Sequence, residues 1–200
     1  VSIEPKNLWF NISGGWGVYS DCDLLIRFDD LKLHNEMSYC NKDWAAKLVD
    51  LSEDGTKEVV QNWSNHYVYC GTCALTFVEF KIFKWNGQKF KEEGLKFLDM
   101  SSSSNIQELN NQAIRLADAE LWQDAQIIIA EALKIDNQNE FLIWNANLIN
   151  LQTDGKRQNA NDYSVAQPLI PALFLGDYPH ILEVMSQYSV QTLFDETPYE

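Results

Sequence analysis

The sequence predicts an α+β protein: an N-terminal antiparallel β-sheet domain followed by a C-terminal helical domain built on a helical hairpin. Three observations carry this reading. The apolar residues alternate over much of residues 76–85, whereas from Ile106 they recur at three- and four-residue spacing. The two halves differ in make-up, since residues 1–100 hold all four cysteines, five of the seven tryptophans and a net charge of −4, against −10 for residues 101–200. Between them, Ser101-Ser102-Ser103-Ser104-Asn105 has the composition of a linker. The predicted division is therefore residues 1–100 β, 101–105 linker and 106–200 helical.

Bulk properties narrow the function classes. Two hundred residues with 46% hydrophobic and 12% aromatic content are enough for a sizeable core. Fifteen basic and twenty-nine acidic residues give a net charge of −14, which disfavours nucleic acid and anionic membrane surfaces as partners. No apolar run approaches the ~18 residues that would mark a membrane-spanning helix. The chain opens on Val1-Ser2-Ile3-Glu4-Pro5, which predicts a processed or trimmed start. Four cysteines fit two disulfides outside the cytoplasm or four thiols inside it, and with two disulfides Cys22–Cys40 plus Cys70–Cys73 and the crossed pairings all stand open.

The strand signals run in order along the first half. Leu8-Trp9-Phe10-Asn11-Ile12 is aromatic and β-branched and closes on Gly14-Gly15-Trp16-Gly17. Residues 24–28 resume an extended pattern before Asp29-Asp30 and Leu31-Lys32-Leu33. Residues 44–49 and 59–63 flank an acidic loop, and residues 76–85 form the clearest strand, ending in the hairpin signal Asn86-Gly87. Residues 26–33 and 83–90 share a pattern of apolar, basic, aromatic, turn pair and, one residue further on, basic and apolar, which predicts a repeated antiparallel unit.

The acidic loop is Asp50-Leu51-Ser52-Glu53-Asp54-Gly55-Thr56-Lys57-Glu58. Oxygen-bearing side chains at alternate positions, a Gly for the bend and a later Glu predict a hard-cation cage of the kind calcium prefers. Asp50, Ser52, Asp54 and Glu58 would point inward and a backbone carbonyl near Thr56 would complete it. The bland alternative is a solvated hairpin turn whose carboxylates bond their own backbone.

Residues 46–60, with the Lys84-Trp85-Asn86-Gly87-Gln88-Lys89-Phe90 turn, resemble the repeat of the FG-GAP/VCBS families over about residues 17–93. The resemblance implies an aspartate-rich loop joining two strands of a propeller blade, often around calcium. Only about one and a half blades fit here, so a small antiparallel sheet or sandwich is expected and not a closed propeller.

In the second half Ile106, Leu109, Ala113, Leu116, Ala117 and Leu121 form one apolar face, with Ser104 or Asn105 as the helix start. Residues 123–135 repeat the pattern through Ala125, Ile128, Ile129, Ala132 and Leu133, and residues 140–151 start a third helix. Residues 106–137 resemble a single degenerate tetratricopeptide repeat, with Leu109 and Leu116 at large sites and Ala125, Ile129 and Ala132 at small, large and small ones. Residues 153–161 are polar, include Gly155 and are expected to be loop. Pro168 and Pro171 restrict a short helix, Gly176-Asp177 reads as a stop and an N-cap, and Ile181, Leu182, Val184, Met185 and Tyr188 fit a last amphipathic helix. Residues 190–194 are expected to pack back on the core.

The chemistry-bearing residues do not assemble into a catalytic pattern. Cys70-Gly71-Thr72-Cys73 lacks a neighbouring positive charge, and zinc would have to recruit Cys22, Cys40, His34 or His66 at irregular spacing. His34, His66 and His180 lie in different segments, and GxSxG, P-loop and GxGxxG motifs are absent. Trp16, Trp63 and Trp85 could stack on a sugar ring or fill the β core. The expectation is a non-enzymatic protein-interaction or scaffold protein of bacterial type, extracytoplasmic, its β half stabilised by calcium. A carbohydrate-binding, lectin-like module is the alternative.

Overall fold

The structure is a computed structural model that describes residues 3–4, 6–15, 21–41, 46–66, 76–99, 104–161 and 169–189. The expectations for Trp16-Gly17, Trp44, Cys70 to Cys73, Ser101 to Ser103, Pro168 and residues 190–194 fall outside the described residues. The described chain is α+β, with antiparallel sheets in its first half and helices in its second.

A three-stranded sheet opens the fold, ordered β1 (Leu8–Gly15), β2 (Asp21–Asp29) and β3 (Lys32–Asn41). The β2–β3 turn is the two residues Asp30 and Leu31, with φ of 43° and 60°. Positive φ at both central positions is what a type I′ hairpin requires, here met without glycine. Cys22 and Cys40 are cross-strand partners in this pair and are joined by a disulfide.

A four-stranded sheet follows, ordered β4 (Lys47–Val49), β5 (Glu58–Asn62), β8 (Phe80–Trp85) and β9 (Phe90–Glu93). The short pair β6 (Asn65–His66) and β7 (Thr76–Phe77) lies beside it. The single strand expected over residues 76–85 is thus split at Val78-Glu79, where the chain leaves β7 for the larger sheet and the Trp63 amide bonds the Glu79 carbonyl. The Asn86-Gly87 hairpin has a four-residue loop, 86–89, because the Asn86 side chain accepts from the amides of Gln88 and Lys89. The two similar hairpins share a register, with Phe28 opposite Leu33 and Trp85 opposite Phe90, but they belong to different sheets.

The two sheets pack face to face. Trp9 and Leu25 from the first meet Val59, Phe83, Trp85 and Phe90 from the second, and Trp9 stacks edge-on against Trp85 at 4.9 Å between centroids. The opposite face of the four-stranded sheet, through Val60, Phe80 and Ile82, packs on Trp144 and Leu148 of a long helix.

That helix is the third of five among the described residues: α1 (Ser104–Asp118), α2 (Trp122–Ile135), α3 (Glu140–Asn161), α4 (Leu169–Leu175) and α5 (Tyr178–Ser186). Buried Ala113, Ala117, Ala125 and Ala132 let α1, α2 and α3 approach closely around Ile129, Leu142 and Ile149. Leu121 falls outside α1, because Glu120 takes a left-handed φ of 62° and ends the helix. Residues 153–161, expected as loop, continue α3. The sequence there is polar because Gln152, Thr153 and Lys156 are buried with hydrogen-bonding or ion-pair partners, and Gly155 is small because the Phe80 ring occupies the space of a side chain. Gly176 and Asp177 act as expected, the first at φ 73° and the second accepting from the His180 amide.

Candidate functional site

The acidic loop joins β4 to β5 and folds around a lysine. Asp50 turns inward on the loop, its two oxygens accepting from the amides of Asp54 (3.2 Å) and Gly55 (2.9 Å), with Gly55 at φ 84°. Asp54 accepts from both the amide and the hydroxyl of Thr56. Glu58 is buried and accepts from the Leu51 amide (2.8 Å) and the Ser52 hydroxyl (2.9 Å). The Lys84 ammonium, brought by β8, stands 3.0 Å from Glu58 Oε1, 3.0 Å from Ser52 Oγ and 3.3 Å from Asp54 Oδ2.

Three of the five residues expected around a cation therefore converge on Lys84, while Asp50 and Thr56 serve the turn. Burial is the strongest influence on Asp54 and pushes its carboxyl up, but the Thr56 bonds and Lys84 together hold it at about 2. Burial likewise pulls Lys84 down, and the bonds and charges of Glu58 and Asp54 outweigh it, leaving its ammonium above the ordinary range. Among the described residues no group of three or more His, Cys, Asp or Glu side chains is arranged to hold a metal ion.

Helix α3 reads the backbone of the sheet half with side-chain amides. Asn147 donates to the Leu51 carbonyl at 3.0 Å and to Glu53 at 3.2 Å, which docks the acidic loop. Asn145 brackets Lys96, accepting from its amide and donating to its carbonyl, each at 2.8 Å, and also donates to Asn110 of α1 at 2.7 Å. Two turns further on, Gln152 brackets Phe80 in the same way, at 3.2 and 2.7 Å. These amides escaped sequence reasoning. Their only signal was polar residues at seven-residue spacing on an otherwise apolar helix face.

Two clefts flank this joint. One, of about 420 Å³, lies between the acidic loop and the start of α3, with Asp54, Lys84, Lys96, Phe141 and Trp144 in its lining. Lys96 stands 4.4 Å from the Trp144 ring centroid, so its charge is held against a π face. The other, of about 350 Å³, contains Lys156, which is 2% exposed, 3.2 Å from Glu120 Oε2 and 3.6 Å from the Phe77 ring centroid. Burial lowers the Lys156 ammonium, against the opposing charges of Glu120 and Glu79. Both clefts place their cations in ion pairs or on aromatic rings.

The outer face of the three-stranded sheet has a different character. The register puts Leu8, Phe28 and Leu33 in one row and Phe10, Ile26 and Asn35 in the next. Ile12, Leu24 and Ser38 form a third row, and Gly14, Cys22 and Cys40 a fourth. Antiparallel partners share a face, and Trp9 and Leu25 on the opposite face are in the core. All twelve outward positions are uncharged, on a chain of net charge −14. Leu8, Ile12 and Leu33 are 55%, 54% and 67% exposed, and Leu31 at the hairpin tip is 91% exposed. A solvated face of an antiparallel sheet ordinarily alternates polar residues outward.

Of the tryptophans nominated for sugar stacking, Trp85 is in the core between the sheets. Trp63 is exposed, with the Lys81 ammonium 4.3 Å from its ring centroid. Among the described residues no helix is long and apolar enough to cross a membrane. No protein family, no curated protein and no solved structure matches the chain.

Proposed function

We propose that this chain is a non-enzymatic protein-interaction module whose docking surface is the outer face of the three-stranded sheet. The observation that carries the reading is that face itself: twelve uncharged positions, seven of them large and apolar, on a strongly acidic protein. Exposed contiguous apolar surface of this kind marks an interaction site. The resemblances to FG-GAP/VCBS and tetratricopeptide repeats point the same way, since both families bind and do not transform. The Cys22–Cys40 disulfide supports an extracytoplasmic setting, in the envelope or secreted.

A photo-crosslinking residue at Leu33 tests the surface in the producing cell. It is expected to give an adduct of defined mass, and the same residue at exposed Gln138 on the far side of the fold is not. Adducts from Gln138 alone would move the interaction to the helices, and none from Leu33 would refute the reading. Calcium in the acidic loop belongs to the same proposal, as a stabiliser of the β half. Binding would require Lys84 to give up Asp54 and Glu58, so the expected sign is a calcium-dependent rise in Tm that disappears in Asp54→Ala. A Tm indifferent to calcium after chelator treatment refutes it. The lectin-like alternative rests on exposed Trp63 and predicts a fluorescence shift with sugars that Trp63→Phe removes.

A further inference from the structure

The cleft between the acidic loop and the start of α3 encloses about 420 Å³, within the range of small-molecule sites. Its lining is mixed, with the rings of Phe141 and Trp144 beside charges of both signs. The Lys84 ammonium and the Asp54 carboxylate pair with each other, and Glu58 and Ser52 complete that cluster. Among the described lining residues three charges remain. Lys96 makes only a long ion pair, 3.9 Å from Glu93, while its ammonium rests on the Trp144 ring. Glu53 accepts from Asn147 at 3.2 Å and holds a left-handed φ of 56°. Such a backbone costs energy in a residue other than glycine, and it clusters where ligands are held. Glu140, in the first turn of α3, is exposed, and among the described residues its carboxylate meets no donor and no cation. The helix N-terminus itself is closed, since Asn139 Oδ1 accepts from the Phe141 and Leu142 amides.

We infer that this cleft is a binding site for a small zwitterion with an aromatic body, the chemistry of a free aromatic α-amino acid. Lys96 takes the ligand's carboxylate, Glu140 and Glu53 take its ammonium, and Phe141, 49% exposed, gives its ring an apolar wall. The charges select this class. One ammonium and two carboxylates are uncommitted, so a simple anion meets net repulsion and a simple cation leaves Lys96 unused. Lys96 and Glu140 share the cleft without pairing with each other, which leaves the space between them to a ligand's own two charges. The site is also pre-organised. Asn145 holds the Lys96 amide and carbonyl at 2.8 Å, and the Trp144 indole under the ammonium is tied to the Gly94 carbonyl at 2.8 Å. Ordering already present in the free protein is not lost on binding. The cleft uses no residue of the three-stranded sheet, so the inference goes beyond the docking reading and does not depend on it.

Isothermal titration of the intact chain with L-phenylalanine is expected to show one saturable site with a Kd below about 1 mM. Hydrocinnamate, which lacks the amine, and phenethylamine, which lacks the carboxylate, are each expected to bind at least about tenfold more weakly. Glu140→Gln should weaken L-phenylalanine about tenfold without weakening hydrocinnamate, and Lys96→Met should weaken L-phenylalanine about tenfold without weakening phenethylamine. A residue that only shaped the cleft would shift all three ligands together, and that outcome overturns the assignment of charges. No saturable heat up to about 10 mM L-phenylalanine overturns the inference outright. So does hydrocinnamate binding as tightly as L-phenylalanine, which would make the cleft a plain anion site, or phenethylamine doing so, which would make it a cation site.

Discussion

Asn145→Leu removes hydrogen bonds while keeping the branching of the side chain, at a position with no solvent exposure. In the native fold the Asn145 amide holds the Lys96 amide and carbonyl and the Asn110 oxygen together. The Lys96 carbonyl would keep a partner, since Asn110 Nδ2 also donates to it at 3.1 Å. The Lys96 N–H and Asn110 Oδ1 would lose theirs. At about 1–3 kcal/mol for each buried group left unpaired, the loss is about 4 kcal/mol, less a fraction regained by burying methyl groups. A net of about 3 kcal/mol is a large part of the ~5–15 kcal/mol that holds a typical domain. Urea unfolding followed by tryptophan fluorescence is the assay. Trp144 is next in the chain and its indole donates to the Gly94 carbonyl at 2.8 Å, so it reports the same joint. With a slope of about 2 kcal/mol per molar urea, the midpoint should fall by about 1.5 M. Asn110→Leu added to Asn145→Leu should cost less than the sum of the two, because they share partners. A midpoint within about 0.3 M of the parent, roughly 0.6 kcal/mol at that slope, would sink the idea that these amides fasten the helices to the sheet half.

Gly155→Ala should lower Tm although alanine favours helix by about 1 kcal/mol, because the new methyl would lie 2.4 Å from the Phe80 ring and overpacking costs about 1–3 kcal/mol. A raised Tm would show that α3 does not press on the sheet there. Lys84→Met leaves Glu58 buried without its ion pair and should destabilise by about 3 kcal/mol, with Glu58→Gln in the same background recovering part of it; no recovery would mean the loss comes from elsewhere. The Asp54 carboxyl is depressed from 3.8 to about 2, so its contribution is present above pH 3.8 and lost as pH falls from there toward 2. Because Asp54 is half exposed that contribution is small. Asp54→Asn should remove it, seen as a flatter urea midpoint over that acid range. Lys84 has the opposite sign, its contribution being full below pH 10.5 and lost as the pH climbs through its raised value. Lys84→Met should flatten the alkaline limb of the same titration.

Local pattern carried much of the fold. Alternation and aromatic content marked β1, β5 and β8, three- and four-residue spacing marked α1 and α2, and Gly176-Asp177 marked a helix stop and N-cap. These features follow from backbone geometry within a few residues, so a single segment encodes them. The acidic loop was legible as a tight turn rich in carboxylates for the same reason. That Lys84 stands among those carboxylates was not, because it arrives from a strand some thirty residues away.

What the sequence determined by itself was the α+β class, the order of most elements and the acidic character of the chain. The tertiary structure decided which polar residues are interior. Thr153 and Lys156 look like loop because partners on other elements do not show in the local pattern, and they extend α3 because the Trp122 carbonyl of α2 and the Glu120 carboxylate accept from them. It also decided which apolar residues face water. Leu8, Phe10 and Ile12 alternate with Trp9 as any half-buried strand would, and only the sheet register shows that Trp9 alone faces the core. Burial is a property of what packs against a face, and that is set by contacts between segments distant in sequence.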